Sequence, residues 1–126
     1  MLGDHSIYPV LLATDLAAAR EFYHDTLGLE IIAERETSID FRSGSTRLNL
    51  NLSTTGTADT QTQAGWQVDD IRAELDELRV RGVRIEEYDL PGLKTENGIV
   101  DIGYALVAWI TDPGGNVLGI LQPRGQ

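Results

Sequence analysis

The sequence predicts an α+β domain with largely antiparallel sheets, assembled from two copies of a strand–helix–strand–strand–strand unit. The first observation behind this prediction is an internal repeat at an offset of 55 residues, from Asp15 to Asp70. Each copy has an apolar strand, an aspartate at the helix entrance, an amphipathic helix and a final glycine, Gly28 or Gly82. The second observation is the spacing of the apolar residues. Segments in which they alternate and segments in which they recur at helical spacing follow one another in the same order in both copies. Such a repeat indicates two supersecondary units, neither of which buries its apolar face alone.

The first repeat, at about residues 5–54, opens with an apolar run that predicts a strand over residues 7–13. Thr14 or Asp15 can cap the next helix, because a short side-chain oxygen accepts from the free amides of a first helical turn. Gly28 supplies the left-handed helix end. The helix carries one apolar stripe, made of Leu16, Ala19, Phe22, Tyr23 and Leu27. Three further strands are predicted, at residues 29–33, 38–42 and 46–52.

The second repeat, at about residues 62–123, follows a linker at residues 53–61 that is rich in Thr, Ser and Gly. Asp69 or Asp70 is expected to cap a helix, and Pro91 with two glycines makes residues 89–98 a predicted long loop. The helix stripe consists of Ile71, Leu75 and Leu78. Strands are predicted at residues 63–68, 83–87, 104–111 and 116–122, the last two joined by a turn at residues 112–115. The interval from aspartate to glycine is 13 residues in the first repeat and 12 in the second.

The composition bounds what the chain can do. A chain of 126 residues, 41% of them hydrophobic, predicts one compact domain over residues 1–126. Twenty acidic against ten basic residues give a net charge of -10, which repels phosphate backbones and argues against nucleic-acid binding. No run of 18 apolar residues is present, so membrane insertion is not expected. Without cysteine or a visible secretory signal, a cytoplasmic location is expected, with no disulfides or thiolate metal sites.

Four short motifs, in order and spread over nearly the whole chain, carry a resemblance to a known family. They read Thr14-Asp-Leu, Phe22-Tyr-His-Asp-Thr-Leu-Gly, Val68-Asp-Asp-Ile and Asp112-Pro-Gly-Gly-Asn-Val-Leu. Together they resemble the vicinal oxygen chelate superfamily, which groups glyoxalase I, extradiol dioxygenases and bleomycin-resistance proteins. The resemblance implies that each repeat curls into a half-open barrel that encloses the active cavity. It also implies a homodimer.

The resemblance further implies four positions at which metal-dependent members carry ligands, one before each helix and one in the last strand of each repeat. In this chain they hold Tyr8, Asn49, Gln63 and Gly119. A divalent ion needs anionic or imidazole ligands to compensate for the water it sheds. A phenol, two amides and a glycine offer neither, so no metal site and no cofactor are expected. The two histidines, His5 and His24, are expected on the surface.

Strand alternation predicts which side chains face the cavity if the ligand-equivalent positions point inward. The candidate ligand-binding residues are Tyr8, Asp40, Arg47, Asn49, Gln63, Gln67 and Trp109. On the opposite face Phe41, Leu48, Leu50, Trp66 and Ile110 are expected in the core. Aromatic surfaces combined with a few polar groups are typical of pockets for small organic ligands. In the alternative interpretation, Trp109 only fills the barrel and the amides are solvated.

Three functions remain open at this level. The first is a metal-independent small-molecule binding protein of the glyoxalase/bleomycin-resistance type, with an aromatic or cationic ligand in the sheet-lined cavity. The second is an enzyme of the same superfamily, a lyase, isomerase or dioxygenase-like protein without the four-ligand metal site. Arg47 would then stabilise an oxyanion and Asp40 or Tyr8 would carry the proton. The third is a metal enzyme whose ligands come from other positions.

Overall fold

The computed structural model describes residues 1–124, which form two compact units, Met1–Ala58 and the chain from Asp59 onward. Each unit holds one four-stranded sheet and one main helix. The second unit has an additional two-stranded ribbon. None of the helices among these 124 residues has the length and apolar character needed to cross a bilayer.

The first unit begins with a single 3-10 turn and then follows the order β1, α1, β2, β3, β4. The turn spans Leu2–Asp4, β1 Val10–Ala13, α1 Leu16–Arg20 with a π-helical continuation over Glu21–Thr26, β2 Glu30–Glu34, β3 Ser38–Ser43 and β4 Thr46–Leu52. The strands lie in the order β1-β4-β3-β2, in which β1 runs parallel to β4 and the other pairs are antiparallel.

The second unit repeats this arrangement around its main sheet. Its elements are β5 at Thr62–Gln67, α2 at Ile71–Val80, β6 at Asp89–Leu90, β7 at Leu93–Lys94, β8 at Val100–Asp101, β9 at Ala105–Thr111 and β10 at Val117–Pro123. The sheet order is β5-β10-β9-β8, with β5 parallel to β10 and the remaining pairs antiparallel. First and last strands of both units are therefore parallel neighbours, and the predicted α+β class with two largely antiparallel repeats is confirmed.

The helix boundaries also match the prediction. Asp15 accepts a hydrogen bond from the amide of Ala18 at 3.1 Å, and Asp70 accepts one from the amide of Ala73 at 3.1 Å. Both bonds satisfy an amide that has no partner within its own helix. Gly28 and Gly82 each have a φ of 84°, the left-handed conformation that ends a helix at low steric cost for glycine.

The one-residue difference between the repeats is accommodated by the π-helical turn. In the second unit, Val83 donates from its amide to the carbonyl of Leu78, five residues back, at 2.9 Å. In the first unit, Leu29 donates to the carbonyl of Tyr23, six residues back, at 2.9 Å. The extra residue thus widens one turn, and the helix still ends on its glycine. Tyr23 remains fully buried, with its ring 5.5 Å from that of Phe41.

The strand predicted over residues 7–13 begins only at Val10, and two predicted elements of the second unit differ from the structure. Residues 83–87, which were predicted as a strand, do not form one, although Val83 and Ile85 are buried. The segment makes one backbone bond to the sheet, from the Glu86 amide to the Trp109 carbonyl at 2.9 Å, and the edge of β9 is then paired with β8. The segment therefore buries alternate side chains without continuous strand pairing.

The two-stranded ribbon is the second correction, since residues 89–98 were predicted as a long loop. They contain β6 and β7, paired antiparallel, and a bridge between Glu96 and Ile99. Pro91 and Gly92 form the connecting turn, and Gly92 has a φ of 79°. Proline followed by a left-handed glycine is the turn chemistry of a tight two-residue connection. The prediction interpreted these residues as breakers of structure, whereas here they join two short strands.

Candidate functional site

All the predicted site residues except Tyr8, which precedes β1, lie on strands of the two sheets, and each unit has its own group. Tyr8, Asp40, Arg47 and Asn49 belong to the first unit, and Gln63, Gln67 and Trp109 belong to the second. Side chains of the first unit alternate between two faces of the sheet. Leu11 is 4% exposed between Val10 and Leu12, which are 50% and 38% exposed. Leu50, which is the register partner of Leu11, and Phe41 are fully buried on the same face as Leu11.

Asp40 is the centre of a polar network on β3 and β4. Its strand partner is Asn49, whose side-chain amide donates to Asp40 Oδ1 at 2.6 Å. Arg35 donates to Asp40 Oδ2 at 3.1 Å, and Asn51 donates in turn to the side-chain oxygen of Asn49. Asp40 is only 5% exposed, so these bonds replace the water that the carboxylate loses on folding.

The network lowers the pKa of Asp40 below its ordinary value. The hydrogen bond from Asn49 is the largest cause; burial acts in the opposite direction, and Arg35 contributes a further hydrogen bond. The charges of Arg35 and Arg47 favour the same ionised form. A carboxylate held in this state near neutral pH accepts hydrogen bonds and does not deliver a proton.

Tyr8 and Arg47 form a stacked pair on the same unit. The guanidinium carbon of Arg47 lies 3.9 Å from the centroid of the Tyr8 ring, within the range of a cation–π interaction. Tyr8 is 44% exposed, so the pair is accessible to solvent. The stacking orients the planar donor group of Arg47 and leaves its N–H groups at the edge of the pair.

On the second unit, Trp109 is held in place from two sides. Its indole Nε1–H donates to the hydroxyl of Thr62 at 2.9 Å. The ring of Tyr88 meets the indole edge to face, with 5.4 Å between centroids and an interplanar angle of 86°. Burial raises the pKa of the Tyr88 hydroxyl, and the charge of Glu86 adds to the effect.

A row of two glycines lies beside this indole. Across the sheet, Gly119 on β10 pairs with Trp109 on one side and with Gly65 on the other. A Cβ atom at Gly119 would stand 3.2 Å from Cγ2 of Thr62 and 3.9 Å from the indole nitrogen. A Cβ atom at Gly65 would stand 2.9 Å from the backbone oxygen of Gly119. The absence of side chains therefore lets the indole and the threonine pack over the strand.

A cavity of about 420 Å³ opens at this row. Its lining residues share one property, the lack of charge: Thr62, Gly65, Trp66, Gln67, Ile102, Val107, Trp109, Gly119 and Leu121. Gln67 and Trp109 are the predicted site residues that line it. Trp66, expected in the core, is half-buried and contributes to the wall, and Ile102, 41% exposed, was not predicted.

A β-bulge explains why Thr62, and not Gln63, reaches the indole. Val117 pairs with Thr62 while the next residue, Leu118, pairs with Ala64, so Gln63 is an extra residue in its strand. A bulge of this kind reverses the alternation, which places Thr62 on the same face as Gly65 and Gln67. The sequence prediction assumed a regular strand from residue 63, and no local signal marked the bulge.

The four ligand-equivalent positions do not suit a dication. The Asn49 side chain is engaged at both its nitrogen and its oxygen, and Gly119 is covered by Trp109. Among residues 1–124 no group of three or more His, Asp, Glu or Cys residues could hold a metal ion. His24 instead uses its Nδ1–H to donate to the carbonyl of Leu29 at 2.7 Å, just beyond the π-helical turn.

Comparison with known proteins places these features in a family context. Residues 6–120 match the family model described as the Glyoxalase/Bleomycin resistance protein/Dioxygenase superfamily. No curated protein matches the sequence at a significant level. The fold is similar to that of solved structures.

A bleomycin-binding protein complexed with bleomycin has a TM-score of 0.72 and 18% identity, covering 95% of this chain and 99% of that one. TnmS3, an antibiotic binding protein from Streptomyces sp. CB03234, has a TM-score of 0.70 and 23% identity, over 94% and 95% of the two chains. Lactoylglutathione lyase from Agrobacterium tumefaciens has a TM-score of 0.68 and 23% identity, over 94% and 92%. At these identities the similarity shows a common fold, shared by binding proteins and an enzyme.

Proposed function

This chain belongs to the glyoxalase/bleomycin resistance protein/dioxygenase superfamily, and on that premise we propose that it is a metal-independent small-molecule binding protein whose ligand stacks on Trp109. The observation that carries the proposal is the uncharged cavity of about 420 Å³ beside the glycine row. Sites for small organic molecules span about 300–1,000 Å³ and combine apolar walls with few polar groups. Here Gln67 and the Thr62 hydroxyl are the polar groups of the wall.

The lining favours an aromatic ligand over a cationic one. None of the described residues that line the cavity carries a charge, so a desolvated cation would find no counter-ion there. A flat ring can contact the exposed part of the indole, whose orientation is already fixed by Thr62 and Tyr88. A ligand that meets a pre-oriented surface loses less conformational freedom on binding.

Metal independence is supported by what occupies the ligand-equivalent positions. Asn49 is a neutral amide whose hydrogen bonds go to Asp40 and Asn51. The nearby negative charge belongs to Asp40, and that carboxylate is itself engaged by Arg35. Gly119 has no side chain, and a Cβ atom there would stand 3.2 Å from Thr62 and 3.9 Å from Trp109.

The enzymatic alternative has less support. Arg47 could stabilise a developing oxyanion, but the predicted proton carrier Asp40 has a lowered pKa and is hydrogen-bonded on both oxygens. Tyr8, the other predicted carrier, lies against the Arg47 guanidinium. General acid–base work needs a group whose pKa lies near the working pH.

Ligand binding is tested by titrating the protein with a panel of planar aromatic metabolites, cationic glycopeptides and bleomycin, followed by calorimetry and tryptophan fluorescence. Trp66→Phe leaves Trp109 as the only tryptophan of the chain, and its affinity is first compared with that of the parent protein by calorimetry, because Trp66 contributes to the cavity wall. We expect at least one aromatic compound to bind with a Kd below about 1 mM and to lose roughly tenfold or more in affinity in Trp109→Ala. Uniform failure to bind, or equal affinity in Trp109→Ala, would contradict the proposal.

The metal-independent part has a separate test. Protein treated with EDTA should bind the same ligand with unchanged affinity, and elemental analysis of the untreated protein should find far less than one transition metal per chain. Stoichiometric metal, or affinity restored only by added metal, would contradict it.

We also propose that the protein is a homodimer, on the family resemblance together with the apolar side chains exposed on its first unit, which include Val10 and Leu52.

A further inference from the structure

We propose that Asn97 is a site of spontaneous deamidation, and that the Glu87 carboxylate slows the reaction in the folded protein. Asn97 lies in the turn between β7 and β8, and Gly98 follows it. It is the only asparagine of the chain that precedes a glycine, since the other three precede leucine or valine: Asn49, Asn51 and Asn116. The assignment does not depend on the small-molecule ligand proposed above. It rests on the reacting atoms, on their exposure and on the hydrogen bonds that hold the peptide bond between them.

The reaction begins when the backbone nitrogen of Gly98 attacks Cγ, the side-chain carbonyl carbon of Asn97. A new C–N bond forms, the bond from Cγ to the side-chain nitrogen breaks, and ammonia leaves with the proton that the backbone nitrogen has lost. One water molecule then opens the resulting succinimide ring at either of its carbonyl groups, which gives aspartate or isoaspartate. Chemistry of this kind makes asparagine one of the thermolabile residues of proteins.

The reacting atoms of Asn97 are accessible to one another. Its side chain is exposed, so Cγ can approach the backbone nitrogen without displacing packed neighbours, and Gly98 has no Cβ atom to obstruct the approach. At the other three asparagines, the side-chain nitrogen that would have to leave donates a hydrogen bond, from Asn49 to Asp40, from Asn51 to Asn49 and from Asn116 to Asp112. Asn97 therefore combines the reactive dipeptide with an accessible side chain.

The peptide bond between Asn97 and Gly98 is held at both ends. Its carbonyl oxygen accepts from Nη2 of Arg79 at 2.9 Å, and its N–H donates to Oε1 of Glu87 at 2.8 Å. The same carboxylate oxygen accepts from the Thr95 hydroxyl at 2.6 Å, which fixes its position. The nitrogen that must attack is thus the nitrogen that donates to a carboxylate.

This arrangement opposes the first step of the reaction. The nitrogen attacks after it loses its proton, and a carboxylate 2.8 Å away disfavours a second negative charge at that place. The backbone of Gly98 is also closely packed, because a Cβ atom there would stand 2.4 Å from Cγ2 of Ile85. The peptide plane therefore has little room to rotate, and the folded turn should react more slowly than the unfolded chain.

The products would alter the turn. Both add a negative charge at residue 97, and isoaspartate also moves the Cβ atom of that residue into the main chain. Arg79 and Glu87 bind the two ends of the original peptide bond, so a longer main chain cannot keep both contacts. We expect isoaspartate to break the Arg79 contact and to loosen the turn from α2.

The test follows the full chain at mildly alkaline pH, folded and unfolded in urea, by mass spectrometry of the peptide that contains residue 97. Chromatography of that peptide separates isoaspartate from aspartate. We expect the folded parent protein to react roughly tenfold or more slowly than the unfolded chain, because a fixed peptide bond reacts when the turn opens. Glu87→Gln keeps an acceptor oxygen and removes the charge, so it should speed the folded reaction roughly fivefold.

Amide hydrogen exchange gives an independent readout, because base-catalysed exchange removes the same proton from Gly98. Glu87→Gln should speed this exchange by a similar factor and leave the exchange of Ile99 unchanged, whose amide donates to the Glu96 carbonyl at 3.0 Å. Equal acceleration at Gly98 and Ile99 would show that the turn had opened, and would overturn the role assigned to the charge.

Two variants control the experiment. Glu96→Gln removes the same charge from the exposed residue next to Asn97, and the deamidation rate should stay within about twofold of the parent rate. Asn97→Gln should give no product at residue 97, because glutamine would have to close a larger ring. Circular dichroism confirms that each variant is folded.

Three results would overturn the proposal. The first is that Asn97 stays intact in the folded parent protein and in folded Glu87→Gln while the unfolded chain is converted. The second is an equal rate in the folded and unfolded parent chains. The third is that Glu96→Gln speeds the reaction as much as Glu87→Gln does.

Discussion

At the scale of single residues, Asp40 and Asn49 show how a polar pair can occupy a sheet face without forming a reactive centre. Asp40 has hydrogen-bond donors on both oxygens, and Asn49 uses its amide nitrogen and oxygen within the same network. In the second unit, the corresponding cross-strand pair is Trp109 and Gly119. One unit therefore presents satisfied polar groups, and the other presents an aromatic plane above bare backbone.

The lowered pKa of Asp40 predicts how stability depends on pH. The folded state keeps Asp40 ionised to a lower pH than the unfolded state does, so its contribution is complete above the unfolded pKa of about 3.9 and disappears as the pH falls through the folded value. Asp40→Asn should cost about 1–3 kcal/mol at neutral pH, because buried donors lose their acceptor, and should make stability less dependent on pH below about 4. Urea unfolding across this range measures both effects.

The control for this experiment is Asp4→Asn, since the side chain of Asp4 is 82% exposed. Its stability at neutral pH should change little, as is usual for a surface substitution. If Asp40→Asn behaved like Asp4→Asn, the network would contribute nothing to folding.

The two glycines beside Trp109 predict an order of destabilisation. Gly65→Ala places a Cβ atom 2.9 Å from a backbone oxygen, which cannot move without shifting its strand, whereas Gly119→Ala places one 3.2 Å from a threonine methyl group. Overpacking of this kind costs about 1–3 kcal/mol, and we expect Gly65→Ala to lie at the upper end and Gly119→Ala below it. Thermal unfolding ranks the variants. Gly3→Ala should be neutral, because its Cβ would have no neighbour within 4 Å. If Gly119→Ala were more destabilising than Gly65→Ala, the Thr62 side chain would be unable to adjust.

At the scale of elements, local sequence signals predicted the helices and most strands well. Asp15 and Asp70 as caps, and Gly28 and Gly82 as ends, depend on hydrogen bonds and backbone angles within a few residues, so the sequence alone was enough. The bulge at Gln63 was missed because it depends on how β5 pairs with a strand more than fifty residues away. Thr62 was accordingly absent from the predicted site.

At residues 83–87, side-chain burial and backbone strand pairing do not coincide, although the predicted strand implied both. Val83 and Ile85 alternate like a strand and are buried, but the segment makes one bond to β9 before the chain turns into the β6–β7 ribbon. Alternation reports which side chains meet the core, and it does not establish that neighbouring backbone groups are available for pairing. The prediction of Trp66 as a core residue failed for a related reason, because a side chain of this size can be half-buried while it lines a cavity.

The π-helical turn makes a prediction about the repeat itself. If the π-helical turn at Glu21–Thr26 takes up the one extra residue between Asp15 and Gly28, deletion of Asp25, whose side chain is 58% exposed, should give an ordinary α-helical segment of 11 residues between Asp15 and the glycine, as between Asp70 and Gly82. We expect a folded protein with unchanged far-UV circular dichroism and an altered near-UV signal from Tyr23, which lies inside the turn. A protein that no longer folds would show that the wide turn is required to place Tyr23 in the core.

At the scale of the whole molecule, the two units share one strand topology but carry different side chains. Both sheets place the parallel strand pair at one side and the hairpin of the last two strands beside it. The side chains of the two units have diverged, since the first carries the Asp40 network and the Tyr8–Arg47 pair while the second carries an uncharged cavity. A repeat of one backbone plan thus supplies two chemically different surfaces, which is why neither surface could be assigned from the repeat alone.

The proposed homodimer predicts a particular response to salt. Several apolar side chains of the first unit are exposed, namely Val10, Leu12, Ile32 and Leu52, and their burial would favour association. Each copy also carries a net charge of -10, so two copies repel one another through water, and dissolved salt screens that repulsion. Light scattering coupled to size exclusion should therefore give twice the chain mass of 13.8 kDa, with tighter association at about 0.5 M than at about 0.02 M NaCl. Weaker association at high salt would indicate an interface held by opposite charges, and a monomer under both conditions would contradict the homodimer.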